Sequence, residues 1–245
     1  MELAGKVALV TGAGGARLGR AIALAIASRG AAIGVHYRSN ERGALELVAE
    51  IERSGGRAAI FRADLERPPE IEALVGSVVS TLGGLDVLVS NASVFRRTPF
   101  ATTTERDWDE ALDTNLKAPF LLARAAAPHL GARGPGKIVH VADTSALRPW
   151  PEYIPYCVSK AGLIALTQGL ARALAPQVLV NAVAPGPVLP PEGASEEEVR
   201  RAIARVPLGR VGSPGDVAAA VLFLLEGSDY VTGAVIPVDG GRSIA

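Results

Sequence analysis

Short apolar runs alternate along the chain with longer stretches in which apolar residues recur every three or four positions. The first run, residues 7–10, contains no polar position, and such a run predicts a strand that is buried on both faces. The predicted strands are 6–11, 32–37, 57–63, 85–90, 136–141, 178–183 and 234–238. The stretches between them predict helices at 20–29, 41–54, 69–82, 105–133, 156–175, within 190–205, and at 214–225.

Regular alternation of strand and helix predicts an α/β fold, a parallel sheet with helices on both faces. No internal repeat or linker divides the chain, so residues 1–245 are expected to form a single domain. Ligands of such sheets bind beyond the carboxyl ends of the strands. The segment 187–210 combines a loop with a charged helix and is the predicted substrate lid.

The amino-acid composition argues against several kinds of partner and site for this chain. The 25 basic and 25 acidic residues balance, so no nucleic-acid or membrane partner is expected. A single cysteine excludes a disulfide framework, and the apolar runs are too short to span a bilayer. Three scattered histidines give no metal-ligand spacing, so no metal is expected. The N-terminus does not read as a signal peptide, and a cytoplasmic protein is the expectation.

A glycine-rich turn, residues 12–19, joins the first predicted strand to the first helix. Glycine lets the backbone approach a pyrophosphate closely, and the N–H groups at a helix N-terminus favour its negative charge. Strand, glycine-rich turn and helix in this order therefore predict phosphate binding. A tight connection without a ligand is the alternative.

The end of the second strand indicates which cofactor is bound. Folds that bind NAD usually place an acidic residue there to hold the ribose hydroxyls. This chain instead has His36, Tyr37, Arg38 and Ser39, with no acid before Glu41. A cation and a hydroxyl suit a 2′-phosphate, so NADP(H) is predicted over NAD(H). An exposed loop arginine is the alternative interpretation of Arg38.

Two further polar residues allow two interpretations each. Asp64, which Leu65 follows at the end of the third strand, either accepts a hydrogen bond from an adenine amine or caps the next turn. Asn115, inside a long helical stretch, either bonds to nearby backbone or interrupts the helix to hold a water molecule.

Tyr156 and Lys160 are four residues apart and share one face of a predicted helix. An ammonium group so close favours the phenolate and lowers the pKa of the phenol, which predicts an acid–base pair suited to neutral pH. The alternative is a surface tyrosine beside a solvated lysine.

In their order and spacing, Thr11-Gly12, the glycine-rich turn, Asn91-Ala92, Asn115 and the Tyr156–Lys160 pair resemble the short-chain dehydrogenase/reductase family over the whole chain. The resemblance implies a Rossmann-type doubly wound parallel sheet in one domain that binds the dinucleotide and performs catalysis. It also implies an NADP-dependent oxidoreductase with a small-molecule substrate, assembled as a homotetramer.

The same resemblance implies roles for particular residues. Tyr156 gives a proton to the substrate, and Lys160 bonds to the nicotinamide ribose and lowers the pKa of the phenol. Asn115 holds a water molecule that joins Lys160 to solvent. Pro185 and Gly186 match the segment that lines the nicotinamide.

Asp143 departs from the family pattern, which usually has a serine at this position, thirteen residues before the tyrosine, to donate a hydrogen bond to a carbonyl. An ionised carboxylate only accepts hydrogen bonds and would repel a developing alkoxide. Either Asp143 is protonated, or the substrate presents N–H groups or a ring nitrogen, as a heterocycle reduced at C=N does. A carboxylate that merely caps a nearby turn is a third interpretation.

This departure resembles one branch of the family, the pteridine reductases. Arg17-Leu18-Gly19 closes the glycine-rich turn as in that branch, and residues 36–39 are similar to its NADPH-binding segment. Residues 91–95 resemble a segment in which Ser93 contacts cofactor and substrate and Phe95 stacks on the pterin. A core aromatic is the alternative interpretation of Phe95.

The leading hypothesis is therefore an NADPH-dependent reductase of a pterin or dihydrofolate-like heterocycle. A reductase of 3-oxoacyl-[acyl-carrier-protein] or another carbonyl compound is the alternative among enzymes. An NADP-binding sensor or scaffold is the alternative of a different class, which the intact Tyr156 and Lys160 disfavour.

Overall fold

A seven-stranded parallel sheet forms the centre of the protein in the computed structural model. The structure describes residues 1–15, 17–188 and 195–245, without the side chains of residues 196, 198, 199 and 202. The strands are β1 Val7–Val10, β2 Ala32–Tyr37, β3 Ala58–Arg62, β4 Val87–Ser90, β5 Gly136–Val141, β6 Val178–Pro185 and β7 Val235–Val238. Their order is β3-β2-β1-β4-β5-β6-β7, and each neighbouring pair is parallel.

Helices connect the strands and cover both faces of the sheet. They are α1 Leu18–Ala27, α2 Glu41–Arg53, α3 Pro68–Leu82, α4 Glu105–Leu112, α5 Ala118–Leu130, α6 Ile154–Leu174, α7 Glu196–Ile203 and α8 Pro214–Leu222. The chain runs outward from β1 to β3, then returns and runs outward from β4 to β7. The predicted doubly wound, Rossmann-type sheet is therefore confirmed, and its order reverses between β1 and β4, where such folds bind ligands.

Two hydrophobic layers enclose the sheet. Ile22 of α1 and Val221 of α8 belong to one layer, and Ile71 of α3 and Leu122 of α5 belong to the other. Every residue of β1, β2, β4, β5 and β6 is buried, which explains why these strands show no alternation of apolar and polar positions. Each fully buried aliphatic side chain contributes about 1.5–3 kcal/mol, and the carboxyl ends of the strands are thereby held rigidly.

The region predicted as one helix, 105–133, is divided in the structure. The capping box of Thr104 and Asp107 starts α4, a π-helical turn occupies Asp113–Lys117, and α5 follows with Pro119 near its start. Proline cannot donate a backbone hydrogen bond to the preceding turn, so the regular helical ladder is interrupted here. The interruption carries Asn115 towards the site.

Other boundaries moved by a few residues. α1 begins two residues earlier than predicted, β6 extends to Pro185, and α8 passes into a second π-helical turn, Phe223–Gly227. Part of the predicted lid, residues 189–194, lies outside the described residues, as does Ala16 of the glycine-rich turn. Among the described residues, none of the helices combines the length and the apolar character needed to cross a membrane.

Candidate active site

A cavity of about 1080 Å³ opens at the carboxyl edge of the sheet. Its lining includes most of the residues singled out from the sequence, namely Gly12, Arg17, Leu18, Gly19, His36, Arg38, Asp64, Leu65, Asn91, Ala92, Ser93, Phe95, Asp143, Tyr156, Lys160, Pro185 and Gly186. Three other candidates, Tyr37, Ser39 and Asn115, are described by the structure and lie outside this lining.

Tyr37 and Ser39 differ from the expectation of a direct cofactor contact. The side chain of Tyr37 is buried in the hydrophobic layer of α1 and α2, and its hydroxyl donates to Glu41 at 3.1 Å. Ser39 is exposed in the connection between β2 and α2. Since side chains of a strand alternate between the two faces of its sheet, Tyr37 points into a core while its neighbours His36 and Arg38 reach the cavity.

The glycine-rich turn has the shape and charge that a pyrophosphate requires. Gly12 has φ +66°, and a Cβ atom there would lie 2.9 Å from the Cα of Ala92, so a side chain does not fit. Among the described residues, no side chain caps the N-terminus of α1, and its first turn carries no acidic residue. The N–H groups of that turn therefore favour an anion as their partner.

His36 and Thr11 hold this turn in position. The Nδ1 atom of His36 accepts from the Gly12 N–H at 3.0 Å, and its Nε2 atom lies 3.1 Å from the Ala63 carbonyl, to which it donates. Burial lowers the pKa of His36 to about 4, so its ring is neutral and this tautomer is fixed. The hydroxyl of Thr11 accepts from the N–H groups of Asn91 and Ala92, at 2.9 and 3.0 Å.

Arg38 and Asp64 lie at the far end of the cavity. The guanidinium of Arg38 donates to the Glu66 carboxylate at 3.0 Å, and its side chain is 54% exposed. The Asp64 carboxylate accepts from the backbone N–H of Glu66 at 3.1 Å. Asp64 therefore caps its own turn, as one of its two interpretations predicted, while still facing the cavity.

Asn115 fastens the loop after β4 to α6 from behind the cavity. Its Oδ1 atom accepts from the Val94 N–H at 2.8 Å and from the Ser93 hydroxyl at 3.1 Å. Its Nδ2 group donates to the Val94 carbonyl and to Ser159 Oγ, both at 3.0 Å. These partners lie at least 21 residues away along the chain rather than in the local backbone. The helix is interrupted at Asn115, and the water molecule that Asn115 is expected to hold stays a prediction. Ser159, which sequence reasoning missed, donates to the Tyr156 carbonyl at 2.6 Å.

Asp143 and Tyr156 form a hydrogen-bonded pair inside the cavity. The Tyr156 hydroxyl donates to Asp143 Oδ2 at 2.9 Å, while Asp143 Oδ1 accepts from the Ser145 N–H at 2.7 Å. The carboxylate therefore caps a turn and contacts the Tyr156 hydroxyl at the same time. Lys160 donates to the Val141 carbonyl at 2.8 Å and lies 5.7 Å from the centre of the Tyr156 ring.

The pKa shifts of Tyr156 and Lys160 contradict the expectation of an acidic phenol. Burial, and then the neighbouring Asp143, raise the pKa of Tyr156 well above its usual value. Burial lowers the pKa of Lys160 to about 8, although the charge of Asp143 opposes that shift. The prediction of a lowered pKa for the phenol is therefore wrong in direction, because burial and a hydrogen-bonded carboxylate both favour the neutral phenol.

An aromatic cluster forms one wall of the cavity. Phe95 stacks on Tyr153 with ring centres 4.8 Å apart and planes 8° apart, and it meets the edge of Tyr156 at 4.8 Å. Trp150 contacts both Phe95 and Tyr153 edge-on. Phe95 is 48% exposed, so it is not a core residue. The stack joins two distant segments, and no local sequence pattern indicates it.

Several lining residues gave no signal in the sequence. Glu66, Thr114 and Arg97 face the cavity, as do Arg205 and Arg242. Each is a common residue in a loop or turn, and only the fold brings it to the site. No group of three or more metal-binding side chains was found among the described residues.

Known proteins are similar to this chain over nearly its whole length. A family model described as enoyl-(acyl carrier protein) reductase matches residues 13–243. The chain is 37% identical to 3β-hydroxysteroid dehydrogenase 1 of Eggerthella lenta, over 99% of the chain and 95% of that relative. It is also 37% identical to the 3-oxoacyl-[acyl-carrier-protein] reductase FabG of Thermotoga maritima, over the full length of both.

The chain is also similar to a solved structure that contains a bound cofactor. FolM alternative dihydrofolate reductase 1 from Brucella canis, complexed with NADP, superimposes with a TM-score of 0.93 at 32% sequence identity. The match covers the whole of this chain and 96% of that one.

Proposed function

Since the chain belongs to the short-chain dehydrogenase/reductase family and is an NADP-dependent oxidoreductase, we propose that it reduces a pterin or dihydrofolate-like heterocycle. The observation that carries this choice is Asp143, which lies in the cavity and accepts the Tyr156 hydroxyl at 2.9 Å. A carboxylate accepts hydrogen bonds from ring N–H and amino groups and repels the oxyanion of a reduced ketone.

The described residues fit NADP(H). The glycine-rich turn and the N-terminus of α1, together with Arg17, would hold the pyrophosphate. Arg38, with the Ser39 hydroxyl next in the chain, would hold the 2′-phosphate, and Asp64-Leu65 would hold the adenine. Bound NADPH supplies the hydride.

The nicotinamide end of the cofactor lies where the loop after β4 meets the end of β6. Asn91, Ala92 and Ser93 form one side, and Pro185 and Gly186 form the other. Lys160 bonds to the ribose there. A Cβ atom on Gly186 would lie 2.6 Å from the Cβ of Asp239, so this position accepts no side chain and the wall keeps its shape.

The proton comes from the Tyr156–Asp143 pair. Reduction of a ring C=N bond adds a hydride to carbon and a proton to nitrogen. Tyr156 is neutral at working pH because of its raised pKa, so it has a proton to give. Asp143 orients the ring or relays that proton, and Asn115 keeps Ser93 and the backbone of Val94 in place around it.

A flat heterocycle binds between the nicotinamide and the aromatic wall. Phe95 provides the stacking face, and Tyr153 supports it from behind. Offset stacking of aromatic rings adds about 0.5–1.5 kcal/mol to the burial of their area. Ser93, Asp143 and Tyr156 supply polar contacts to the ring.

NADPH consumption with four compounds tests the proposal: dihydrobiopterin, dihydrofolate, an acetoacetyl thioester and a 3-ketosteroid. The last two represent the named substrates of the similar proteins. We expect turnover of a pterin-type compound. Turnover of the thioester or the steroid alone overturns the proposal in favour of a carbonyl reductase, and cofactor binding without any turnover favours a sensor.

The variant Asp143→Ser sharpens this test. It restores the usual family residue, and we expect kcat for the pterin-type substrate to fall about 100-fold, as for loss of a group that acts in proton transfer. Asp109→Ser removes an exposed carboxylate of α4 and serves as the matched control. An unchanged kcat in Asp143→Ser assigns Asp143 to capping its turn only.

Three broader proposals concern the whole protein. We propose a homotetramer built through α4–α6 and through α8 with β7, because both regions present exposed apolar side chains such as Phe120 and Phe223. The segment 187–210 is proposed as the substrate lid, and α7 is its described helix. We place the enzyme in the cytoplasm, which fractionation of cells tests.

A further inference from the structure

A chain of three polar side chains crosses one end of the cavity. Arg38 Nη1 donates to Glu66 Oε1 at 3.0 Å, and the Thr114 hydroxyl donates to the same oxygen at 3.3 Å. Arg38 follows β2, Glu66 follows β3, and Thr114 lies in the π-helical turn between α4 and α5. All three line the cavity.

Glu66 is held in place, yet its ion pair can open. Its backbone N–H donates to Asp64 Oδ1 at 3.1 Å, and Thr114 is buried, with 7% of its surface exposed. The Arg38 and Glu66 side chains, in contrast, are 54% and 35% exposed. Exposed ion pairs of this kind are weak, so a stronger anion displaces Glu66 from the guanidinium.

We propose that Glu66 is a specificity-determining residue that weakens the preference for NADPH over NADH. A phosphate monoester carries a charge of about −1.5 to −2 at neutral pH. Bound to Arg38, it competes with the Glu66 carboxylate for one cation and is repelled by it. NADH lacks this phosphate and leaves the pair intact. The inference rests on the placement of the 2′-phosphate at Arg38 proposed above.

Glu66→Gln tests the inference, because it keeps an oxygen acceptor for Thr114 and removes only the charge. We expect the Kd of NADPH to fall about 3- to 10-fold and the Kd of NADH to change less than about twofold. Fluorescence titration measures both. Titration with 2′,5′-ADP and 5′-AMP should reproduce the difference, and added salt should shrink it because salt screens exposed charges.

Glu46→Gln is the matched control. Glu46 pairs with Arg42 at 2.9 Å on the exposed face of α2, so the variant removes the same charge from a similar ion pair outside the cavity lining. We expect both cofactor affinities to remain unchanged. Equal melting temperatures of the variants and the parent protein show that each one is folded.

The variant Arg38→Gln tests the placement of the 2′-phosphate at Arg38 separately from the proposed role of Glu66. If Arg38→Gln loses the NADPH preference while Glu66→Gln leaves it unchanged or reduces it, Glu66 does not compete and the inference alone is overturned. If Arg38→Gln keeps the preference, the 2′-phosphate lies elsewhere, and the placement and the inference are both wrong.

Discussion

At the scale of single residues, we predict that Lys160 sets the alkaline limit of activity. Its pKa is lowered to about 8 by burial, so above that pH it loses the charge with which it is proposed to bond to the nicotinamide ribose. We expect kcat/KM for reduction to fall above pH about 8, in a profile measured at saturating NADPH. Lys117→Met, which removes an exposed lysine paired with Asp113, should keep the same profile. Activity that stays level to pH 10 contradicts this role.

His36 makes the fold sensitive to acid. The pKa of His36 is about 4 in the folded protein and 6.5 in the unfolded chain. Between these pH values the unfolded chain therefore binds a proton at His36 and the folded protein does not. Stability is therefore lost as the pH falls from 6.5 towards 4. At pH 5 this costs about 2 kcal/mol, and buried His140, with a pKa of about 3, adds to it.

His36→Gln isolates that contribution. Glutamine offers one acceptor and one donor in place of the two ring nitrogens. We expect the free energy of unfolding to fall by about 2 kcal/mol less between pH 7 and pH 5 than in the parent protein, as measured by urea unfolding. His129→Gln, on α5, is the control. An equal acid loss in His36→Gln and the parent shows that His36 is not the source.

The π-helical turn Asp113–Lys117 holds the loop after β4 in place through Asn115. Asn115→Ala removes four hydrogen bonds and leaves the part-buried backbone N–H of Val94 without its partner. We expect a loss of about 2–4 kcal/mol in stability and a lower kcat. Thr104→Ala weakens the cap of α4 by about 1 kcal/mol and should leave kcat unchanged, so the comparison separates lost stability from lost positioning.

At the scale of secondary-structure elements, the sequence predicts regular strands and helices well. It predicts the π-helical turns that interrupt the helices poorly. Strands β2 and β5 match their predicted bounds although His36 in β2 and Lys137 and His140 in β5 are buried polar residues. The apolar residues around them are enough to indicate a buried strand. The π-helical turns leave no such record, since one additional residue in a turn barely changes the apolar spacing. The sequence placed Asn115 in a helix but did not reveal its partners.

The candidate site, too, was predictable from the sequence only in part. Motif spacing was enough to bring Asp143, Tyr156 and Lys160 towards one edge of the sheet. The direction of the shift in the Tyr156 pKa was not predictable, because it depends on burial by segments distant in sequence. The Arg38–Glu66 pair and the Phe95–Tyr153 stack join separate connections, and only the assembled fold shows them.

At the scale of the whole molecule, the proposed tetramer would form through two apolar surfaces. Trp108, Phe120 and Val158, on α4, α5 and α6, are 39%, 44% and 41% exposed. Phe223, in the π-helical turn after α8, is 51% exposed, and β7 is an edge strand of the sheet. When each of two different surfaces binds the same surface of another subunit, the subunits form a tetramer of closed symmetry.

Disrupting one surface should therefore leave a dimer. The parent protein is expected at about 100 kDa by light scattering, four times the 25.2 kDa chain. Phe120→Arg places a charge in the α4–α6 surface, which it cannot bury without a partner, and should reduce the mass to about half. Leu45→Arg, at a 52% exposed position on α2, should remain tetrameric. A monomeric parent protein at assay concentration would show that these surfaces do not associate.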